Sequence, residues 1–77
     1  SGMTNSAPID DIPIGGDMIR LGPFMKFAGL LDSGGEVKEA IIDGLVTVNG
    51  DVERRRGRQL HVGDIVEFGP RTVRVCP

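Results

Sequence analysis

Four arginines lie within five residues, and their side chains are the strongest candidates for chemistry in this sequence. They are Arg54, Arg55, Arg56 and Arg58. Guanidinium groups suit bidentate contacts with phosphate, so the cluster predicts a site for a polyanion such as RNA. The alternative is a solvated loop in which the arginines have Glu53 and nearby acids as neighbours.

The overall charge conceals this cluster. The 77 residues include nine Lys and Arg against eleven Asp and Glu, a formal net charge of −2. Residues 54–77 nevertheless carry six arginines and two acids, whereas the segments before them are acidic. Because RNA affinity depends on the number of phosphates that are neutralised, the local excess of positive charge matters more than the total.

Residues for catalysis or metal binding are scarce. His61 and Cys76 are the only histidine and cysteine, and they provide neither a nucleophile beside a base nor the ligands of a zinc site. We therefore expect no enzyme and no cofactor, and we interpret His61 as an ordinary surface or half-buried residue. A single cysteine forms no internal disulfide, and no apolar run approaches the roughly 18 residues of a membrane span, which favours the cytoplasm.

The length allows one small domain. The two residues before Met3 resemble a cloning scar, and residues 1–8 are expected to form a disordered tail. Residues 9–77 are then a single domain. Its first apolar residues, followed by two glycines, predict a short extended segment over 9–14 that ends in a turn.

A first short helix is predicted after Pro23, which is well tolerated at a first helical position. Apolar residues then recur at i, i+3 and i+4, so we place the helix over 23–30. Lys26 interrupts the apolar residues and should be exposed.

A second helix is predicted to begin after Ser33. Ser33 and Glu36 have the spacing of a capping box, in which the hydroxyl accepts from the Glu36 amide and the carboxylate reaches back to the Ser33 amide. Gly44 suits the left-handed residue that ends a helix, so we place this helix over 34–43.

Beyond Gly44 the apolar period changes from that of a helix to that of a strand. Asn49–Gly50 predicts a tight hairpin, because both residues tolerate the positive φ of a type I′ turn. Further strands are predicted over 65–68 and 72–75. The fold class is therefore α+β, with two short helices packed on a small antiparallel sheet of three to five strands. The core candidates in the strands are Val46, Val48, Ile65, Phe68, Val73 and Val75.

The order of these motifs is typical of a known family. A basic residue precedes the first helix, a small residue breaks it, a serine starts the second helix, and Gly-x-Val-x-Val-Asn-Gly and Gly-Asp follow. These are Arg20, Gly29, Ser33, residues 44–50 and Gly63–Asp64. From Arg20 to Asp64 the sequence resembles the small RNA-binding domain named after ribosomal small-subunit protein four, the S4 domain. Residues 30–38 further resemble its short stand-alone bacterial branch.

The resemblance implies the alpha-L RNA-binding motif, in which the two helices and the turn before the first strand form the RNA face. By their match to the family motif, the implied RNA-binding residues are Arg20, Ser33, Lys38 and Gly44. By charge and exposure, we add Lys26, Arg54, Arg55, Arg56 and Arg58. Positions that are often basic or polar in the family are Gly34 and Ile42–Asp43 here, so this face has less charge than the family norm.

Each candidate has a plainer interpretation. Arg20 could pair with Asp17, and Lys26 and Lys38 could simply be solvated. Gly34–Gly35 could expose amides to a phosphate, but Glu36 in the first turn repels an anion, so we favour a capping role for this segment.

The leading hypothesis is a non-catalytic protein that binds structured RNA, ribosomal RNA or a precursor, as a monomer associated with the ribosome or its assembly factors. The alternative is a protein-interaction adaptor that keeps the fold and has lost RNA binding. A sulfur carrier of the β-grasp type also has Val-Asn-Gly and Gly-Asp, but such carriers end in Gly-Gly, whereas this chain ends in Val75–Cys76–Pro77.

Overall fold

The structure is a computed structural model that describes residues 8–77. The predicted cloning scar and nearly all of the predicted tail lie outside the described residues. In chain order the elements are β1 (Ile9–Pro13), β2 (Met18–Arg20), α1 (Leu21–Phe27), α2 (Gly34–Ile42), β3 (Val46–Val48), β4 (Asp51–Val52), β5 (Gln59–His61), β6 (Ile65–Phe68) and β7 (Arg71–Cys76). Within residues 8–77, no helix has the length and apolar character needed to cross a membrane.

Five strands form one sheet in the order β1-β7-β6-β3-β4, and β2 and β5 form a separate antiparallel pair. The predicted α+β class, with two short helices and a small sheet, is confirmed. The five-stranded sheet is mixed, however. The pair β1–β7 is parallel, whereas the pairs β7–β6, β6–β3 and β3–β4 are antiparallel. β1 and β7 lie at opposite ends of the described chain, so no hairpin dictates their relative direction.

Both helices and strands of both sheets contribute to one core. Its buried members are Leu21, Phe24, Met25, Val37, Ala40, Ile41, Val46, Val48, Leu60, Val66, Val73 and Val75. Four of the six predicted strand residues are therefore confirmed. Phe68 is partly buried against the core, and Ile65 was wrongly assigned to the core face: Val66 faces the core, and side chains alternate along a strand.

Helix α1 begins two residues earlier and ends three residues earlier than the sequence predicts, and each helix is followed, two residues after its last residue, by a left-handed glycine. Gly29 and Gly44 have φ of 75° and 77°. After α2, the Gly44 amide donates to Ile41 and the Leu45 amide donates to Ala40, which is the hydrogen-bond pattern of a Schellman motif. The left-handed glycine predicted at the end of the second helix is thus confirmed, and it turns the chain toward β3.

The predicted cap of α2 is present with one difference. The Ser33 hydroxyl accepts from the Glu36 amide at 3.2 Å, as expected. The Glu36 carboxylate, however, accepts from the Ser33 hydroxyl at 3.3 Å instead of reaching the Ser33 amide. One hydroxyl therefore serves both the amide and the carboxylate of Glu36.

The predicted hairpin joins β3 to β4 through Asn49 and Gly50, with φ of 53° and 90°. The Asn49 side chain also bonds the Asp64 carboxylate at 3.1 Å and accepts from the Ile65 amide. Asp64 in turn accepts from the His61 amide at 2.8 Å. The Asn-Gly and Gly-Asp motifs are thus one hydrogen-bonded unit.

Candidate nucleic-acid interface

Residues 53–58, here called the arginine loop, run from β4 to β5 across the beginning of α1. The carbonyl oxygens of Arg56 and Arg58 accept from the amides of Gly22 and Leu21, at 2.9 and 2.8 Å. These amides belong to the first turn of α1, where no helical carbonyl can reach them. The loop therefore completes the helix, which explains why α1 begins before Pro23.

Arg20 adds a side-chain contact between the same segments. Its Nη1 donates to the carbonyl oxygen of Gly57 at 3.0 Å. Among residues 8–77 the Arg20 guanidinium makes this contact and not a pairing with Asp17, which was the alternative interpretation of Arg20. Arg20 therefore lies over the arginine loop.

Glu53, the first residue of the loop, is buried and binds two of the arginines. Its carboxylate accepts from the Arg55 Nε at 3.0 Å, from the Arg55 amide at 3.1 Å and from the Arg58 Nη1 at 2.8 Å. The hydrogen bonds from Arg55 and then Arg58 lower the pKa of Glu53 to about 2, although burial opposes its ionisation. Arg55 remains 77% exposed, so its outer edge still faces solvent.

Arg54 contacts the other end of the helical layer. Its Nη1 donates to the carbonyl oxygen of Ile42 at 2.9 Å, in the last turn of α2. Its guanidinium also covers Gly44, where an added Cβ would lie 2.9 Å from the Arg54 Cζ. Gly44 is therefore favoured by its positive φ, and a side chain at this position would also displace the Arg54 guanidinium.

Three cations have no protein partner among the described residues. The side chains of Lys26, Lys38 and Arg56 are exposed, and within residues 8–77 none of them makes an ion pair or a side-chain hydrogen bond. Their charges are available to a ligand without the cost of breaking an internal contact.

Two adjoining clefts bring most of the candidate cations together. The first cleft is lined by Arg20, Gly22, Pro23, Lys26, Gly34, Val37, Arg56 and Gly57. The second is lined by Arg20, Arg55, Gly57, Arg58 and Gln59. Because Arg20 and Gly57 line both, the two clefts form one continuous surface over the arginine loop and the start of both helices.

One flank of α2 extends this surface toward Arg54. Gly34, Lys38 and Ile42 are spaced by four residues and so lie along the same flank, from the first cleft to the carbonyl that Arg54 binds. The acids Glu36 and Glu39, and Asp43 just after the helix, lie toward the other side of its exposed surface. Ser33 and Gly44 bound the helix at its two ends.

We call this surface the cationic face. Five of its cations line the clefts, and Lys38 and Arg54 lie along the adjoining flank of α2. Together they are seven of the nine Lys and Arg: Arg20, Lys26, Lys38, Arg54, Arg55, Arg56 and Arg58. The other two are Arg71 and Arg74 on β7, which pair with Asp10 and Asp11 of β1 at 3.6 and 2.7 Å. The sequence named all seven members as candidates, and of their contacts it offered only the proximity of the arginines to Glu53, as an alternative.

Sequence reasoning missed three residues that shape the face. Gly22 leaves room for the Arg56 side chain, the Gly57 carbonyl accepts from Arg20, and Glu53 was considered only as a solvated neighbour of the arginines. Among residues 8–77 no group of three or more His, Cys, Asp or Glu side chains is arranged to hold a metal ion. The chemistry this surface offers is charge-assisted hydrogen bonding to anionic oxygens.

Comparison with known proteins agrees with this fold. Over 57 residues, 74% of this chain and 80% of the other, the sequence is 46% identical to the "probable ribosome maturation protein RlbA" of Bacillus subtilis. The solution structure of YbcJ from E. coli, described as having an alfaL motif involved in RNA-binding, matches with a TM-score of 0.69 and 28% identity over 100% of this chain and 99% of that one.

A more distant likeness shows the fold alone. The 30S ribosomal protein S4e from Thermoplasma acidophilum matches with a TM-score of 0.59 and 19% identity, over 77% of this chain and 31% of that one. The profile of the S4 domain matches residues 12–76, which include every strand except the start of β1, both helices and the whole cationic face. Sequence profile and fold together establish that this chain belongs to the S4 domain family.

Proposed function

We propose that this protein is a non-catalytic RNA-binding protein that recognises structured RNA, ribosomal RNA or a precursor of it, through phosphate contacts. The observation that carries the proposal is the cationic face: an acidic chain gathers seven of its nine cations on one surface, and three of them have no partner among residues 8–77. The involvement of the YbcJ motif in RNA-binding and the assignment of RlbA to ribosome maturation support it.

Recognition of the RNA backbone and shape fits the aromatic content of the surface. Proteins that read unpaired bases stack them on exposed aromatic rings. Of the three phenylalanines here, Phe24 is fully buried and Phe68 is partly buried, which leaves Phe27 exposed. We therefore expect phosphate contacts from the Lys and Arg side chains to supply most of the affinity.

We further propose that the protein acts as a monomer in the cytoplasm, on ribosomal particles or their assembly intermediates. The match to the ribosome maturation relative covers most of the length of both chains, and it supports action on ribosomal particles. Cross-linking in cells followed by RNA sequencing, together with sedimentation of the protein in a ribosome gradient, identifies the target. Enrichment of ribosomal RNA supports the proposal, and recovery of proteins without RNA contradicts it.

The salt dependence of binding tests the cationic face directly. Lys26→Gln, Lys38→Gln and Arg56→Gln remove cations that have no internal partner, so folding should be unaffected. Removing one phosphate contact should make the slope of log K against log salt shallower by about 0.7 to 0.9. The probe is a labelled RNA hairpin with an internal bulge, titrated at several salt concentrations.

Arg74→Gln is the matched control for that titration. It removes the same charge from β7, outside the cationic face, where Arg74 pairs with Asp11. If Arg74→Gln changes the slope as much as the three variants do, binding depends on total charge and the proposed face is wrong. If no variant changes it, phosphate contacts do not carry the affinity.

A protein-interaction adaptor is the second candidate function. Three apolar side chains near Arg54 favour it, because Ile42, Leu45 and Val52 are each more than half exposed. Leu45 precedes β3 and Val52 lies opposite Thr47 in the hairpin, so they share the outer side of this corner. Substitution of Leu45 and Val52 by Ser should leave RNA binding unchanged if the cationic face is the site.

A further inference from the structure

We infer that Glu53 is a positioning residue for RNA binding: a buried carboxylate holds the arginine loop in the conformation that presents its cations. The inference rests on the proposed function and assigns a role within it to an acidic residue. Glu53 is the one buried charged residue among residues 8–77.

The contacts of Glu53 close the loop on itself. The Arg55 backbone amide and the Arg55 Nε both donate to the Oε2 of Glu53. The Arg58 Nη1 donates to the Oε1 of the same carboxylate. The Arg58 amide also donates to the Arg55 carbonyl at 3.2 Å. The carboxylate thereby fixes both ends of the turn that contains Arg56 and Gly57.

The same turn accepts the hydrogen bonds from the first turn of α1. The carbonyls of Arg56 and Arg58 accept from the amides of Gly22 and Leu21, and the Gly57 carbonyl accepts from Arg20. If the loop were released from Glu53, the amides of Leu21 and Gly22 and the Arg20 side chain would lose these three acceptors together. The position of Arg56 beside Lys26 in the first cleft therefore depends on a carboxylate that does not line either cleft.

Glu53 orients its arginines without using all of their donors. Arg55 bonds the carboxylate through Nε and Nη2, and Arg58 bonds it through Nη1. A guanidinium has five N–H donors, so both side chains retain donors for phosphate. The 77% exposure of the Arg55 side chain places those donors in solvent.

The buried charge also offsets repulsion within the loop. Four guanidinium groups within five residues repel one another, and a loop without a counter-charge relieves that repulsion by opening. Ordering long side chains at the moment of binding costs affinity, so a loop that is ordered beforehand binds more tightly. The carboxylate therefore favours RNA binding even though it lowers the net positive charge.

Glu53→Gln separates positioning from simple electrostatics. Removing a negative charge beside four arginines should strengthen RNA binding if only charge matters. If Glu53 positions the loop, the variant binds the labelled bulged hairpin about tenfold more weakly, because two arginine side chains must be ordered on binding. The salt slope should become shallower, since fewer phosphates are contacted at once.

Glu39→Gln is the matched control, because it makes the same charge change on the far flank of α2. It should bind RNA at wild-type affinity or slightly more tightly. Loop opening is measured independently by amide hydrogen exchange at Leu21 and Gly22, which should accelerate in Glu53→Gln and not in Glu39→Gln. Titrations are made where urea unfolding shows that every variant is folded.

Glu53→Asp keeps the net charge, and it replaces Glu53→Gln in these experiments if Glu53→Gln does not fold. The shorter side chain cannot reach both arginines, so affinity should fall and exchange at Leu21 should accelerate. Wild-type affinity in either folded variant, or tighter binding by Glu53→Gln, overturns the positioning role while leaving RNA binding intact. Failure of the wild-type protein to bind RNA overturns the proposed function itself, and the positioning role with it.

Discussion

The Nη1 of Arg54 lies 2.9 Å from the carbonyl oxygen of Ile42, and this contact ties the arginine loop to the end of α2. The last carbonyls of a helix have no partner within the helix, and they carry the negative end of its dipole. A guanidinium satisfies both the hydrogen bond and the charge. The first arginine of the cluster therefore stabilises the fold in addition to any contact it makes with a ligand.

We predict that Arg54→Ala lowers the free energy of unfolding by about 1 kcal/mol, because a helix-end carbonyl loses a charged donor. Arg56→Ala, the control, should change it by less than about 0.5 kcal/mol, since within residues 8–77 that guanidinium has no partner. Urea unfolding of the two variants measures the difference. Equal losses in both would show that Arg54 does not cap α2.

Gly22 controls the position of Arg56. An added Cβ at Gly22 would overlap the Cγ of Arg56 and approach its Cδ to 3.0 Å, so the arginine must move. Alanine is favoured over glycine by about 0.8 to 1 kcal/mol in a helix interior and by less in the first turn, which offsets part of the strain of that movement. We predict that Gly22→Ala changes stability little but weakens RNA binding about fivefold, the effect of displacing one charge-assisted contact.

Gly16→Ala is the control for this titration, because an added Cβ at Gly16 meets nothing within 4 Å. Its RNA affinity should equal that of the wild type. If Gly22→Ala also binds normally, Arg56 contacts the RNA weakly or tolerates displacement. Loss of stability without loss of affinity would mean that the crowding is relieved by the backbone and not by the arginine.

Local signals predicted much of the fold. The hairpin at Asn49–Gly50, the cap at Ser33 and the left-handed Gly44 each depend on a few adjacent residues, and the structure contains all three. The strands β2 and β5 were missed because each has only three residues. Leu60 is the one fully buried side chain in this pair of strands, so the sequence shows no alternation of apolar and polar residues. The β1–β7 pairing joins distant residues that no local pattern connects.

The candidate site was predictable in its charges and not in its contacts. Positive side chains can be counted in a sequence, but their partners depend on the packing of the loop against α1. One signal for Glu53 was present. A two-residue hairpin at Asn49–Gly50 places Glu53 opposite Val46, and the Glu53 amide does donate to the Val46 carbonyl at 3.0 Å. Because Val46 faces the core, that register already implied a buried carboxylate.

The bond between Asn49 and Asp64 should couple the hairpin to the turn before β6. Hydrogen bonds from the His61 amide and the Asn49 side chain lower the pKa of Asp64, although partial burial opposes its ionisation. We predict that Asn49→Ala and Asp64→Ala each lower the free energy of unfolding by about 1 to 3 kcal/mol. In a double-mutant cycle the losses should be non-additive by at least about 0.5 kcal/mol. Additive losses would show that the two motifs stabilise the fold independently.

Glu53 should make stability depend on pH in the acidic range. Its pKa is lowered from 4.5 to about 2 in the folded protein by the hydrogen bonds from Arg55 and Arg58. A carboxyl whose pKa is lowered on folding stabilises the native state above its unfolded pKa, and this stabilisation is lost as pH falls through the folded pKa. The loss therefore begins near pH 4.5 and is complete below about pH 2.

We predict that Glu53→Gln lowers the free energy of unfolding by about 1 to 3 kcal/mol at neutral pH, a range that allows for the solvent screening of the exposed Arg55. The difference between wild type and variant should shrink as the solution is acidified from pH 4.5 to about 2, where wild-type Glu53 is protonated. Urea unfolding of both proteins across this range isolates Glu53, because the other acids with lowered pKa values, Asp11 and Asp64, are present in both. A difference that stays constant with pH would mean that the carboxylate contributes through shape and not through its charge, and the ion pairs with Arg55 and Arg58 would then not be what holds the loop.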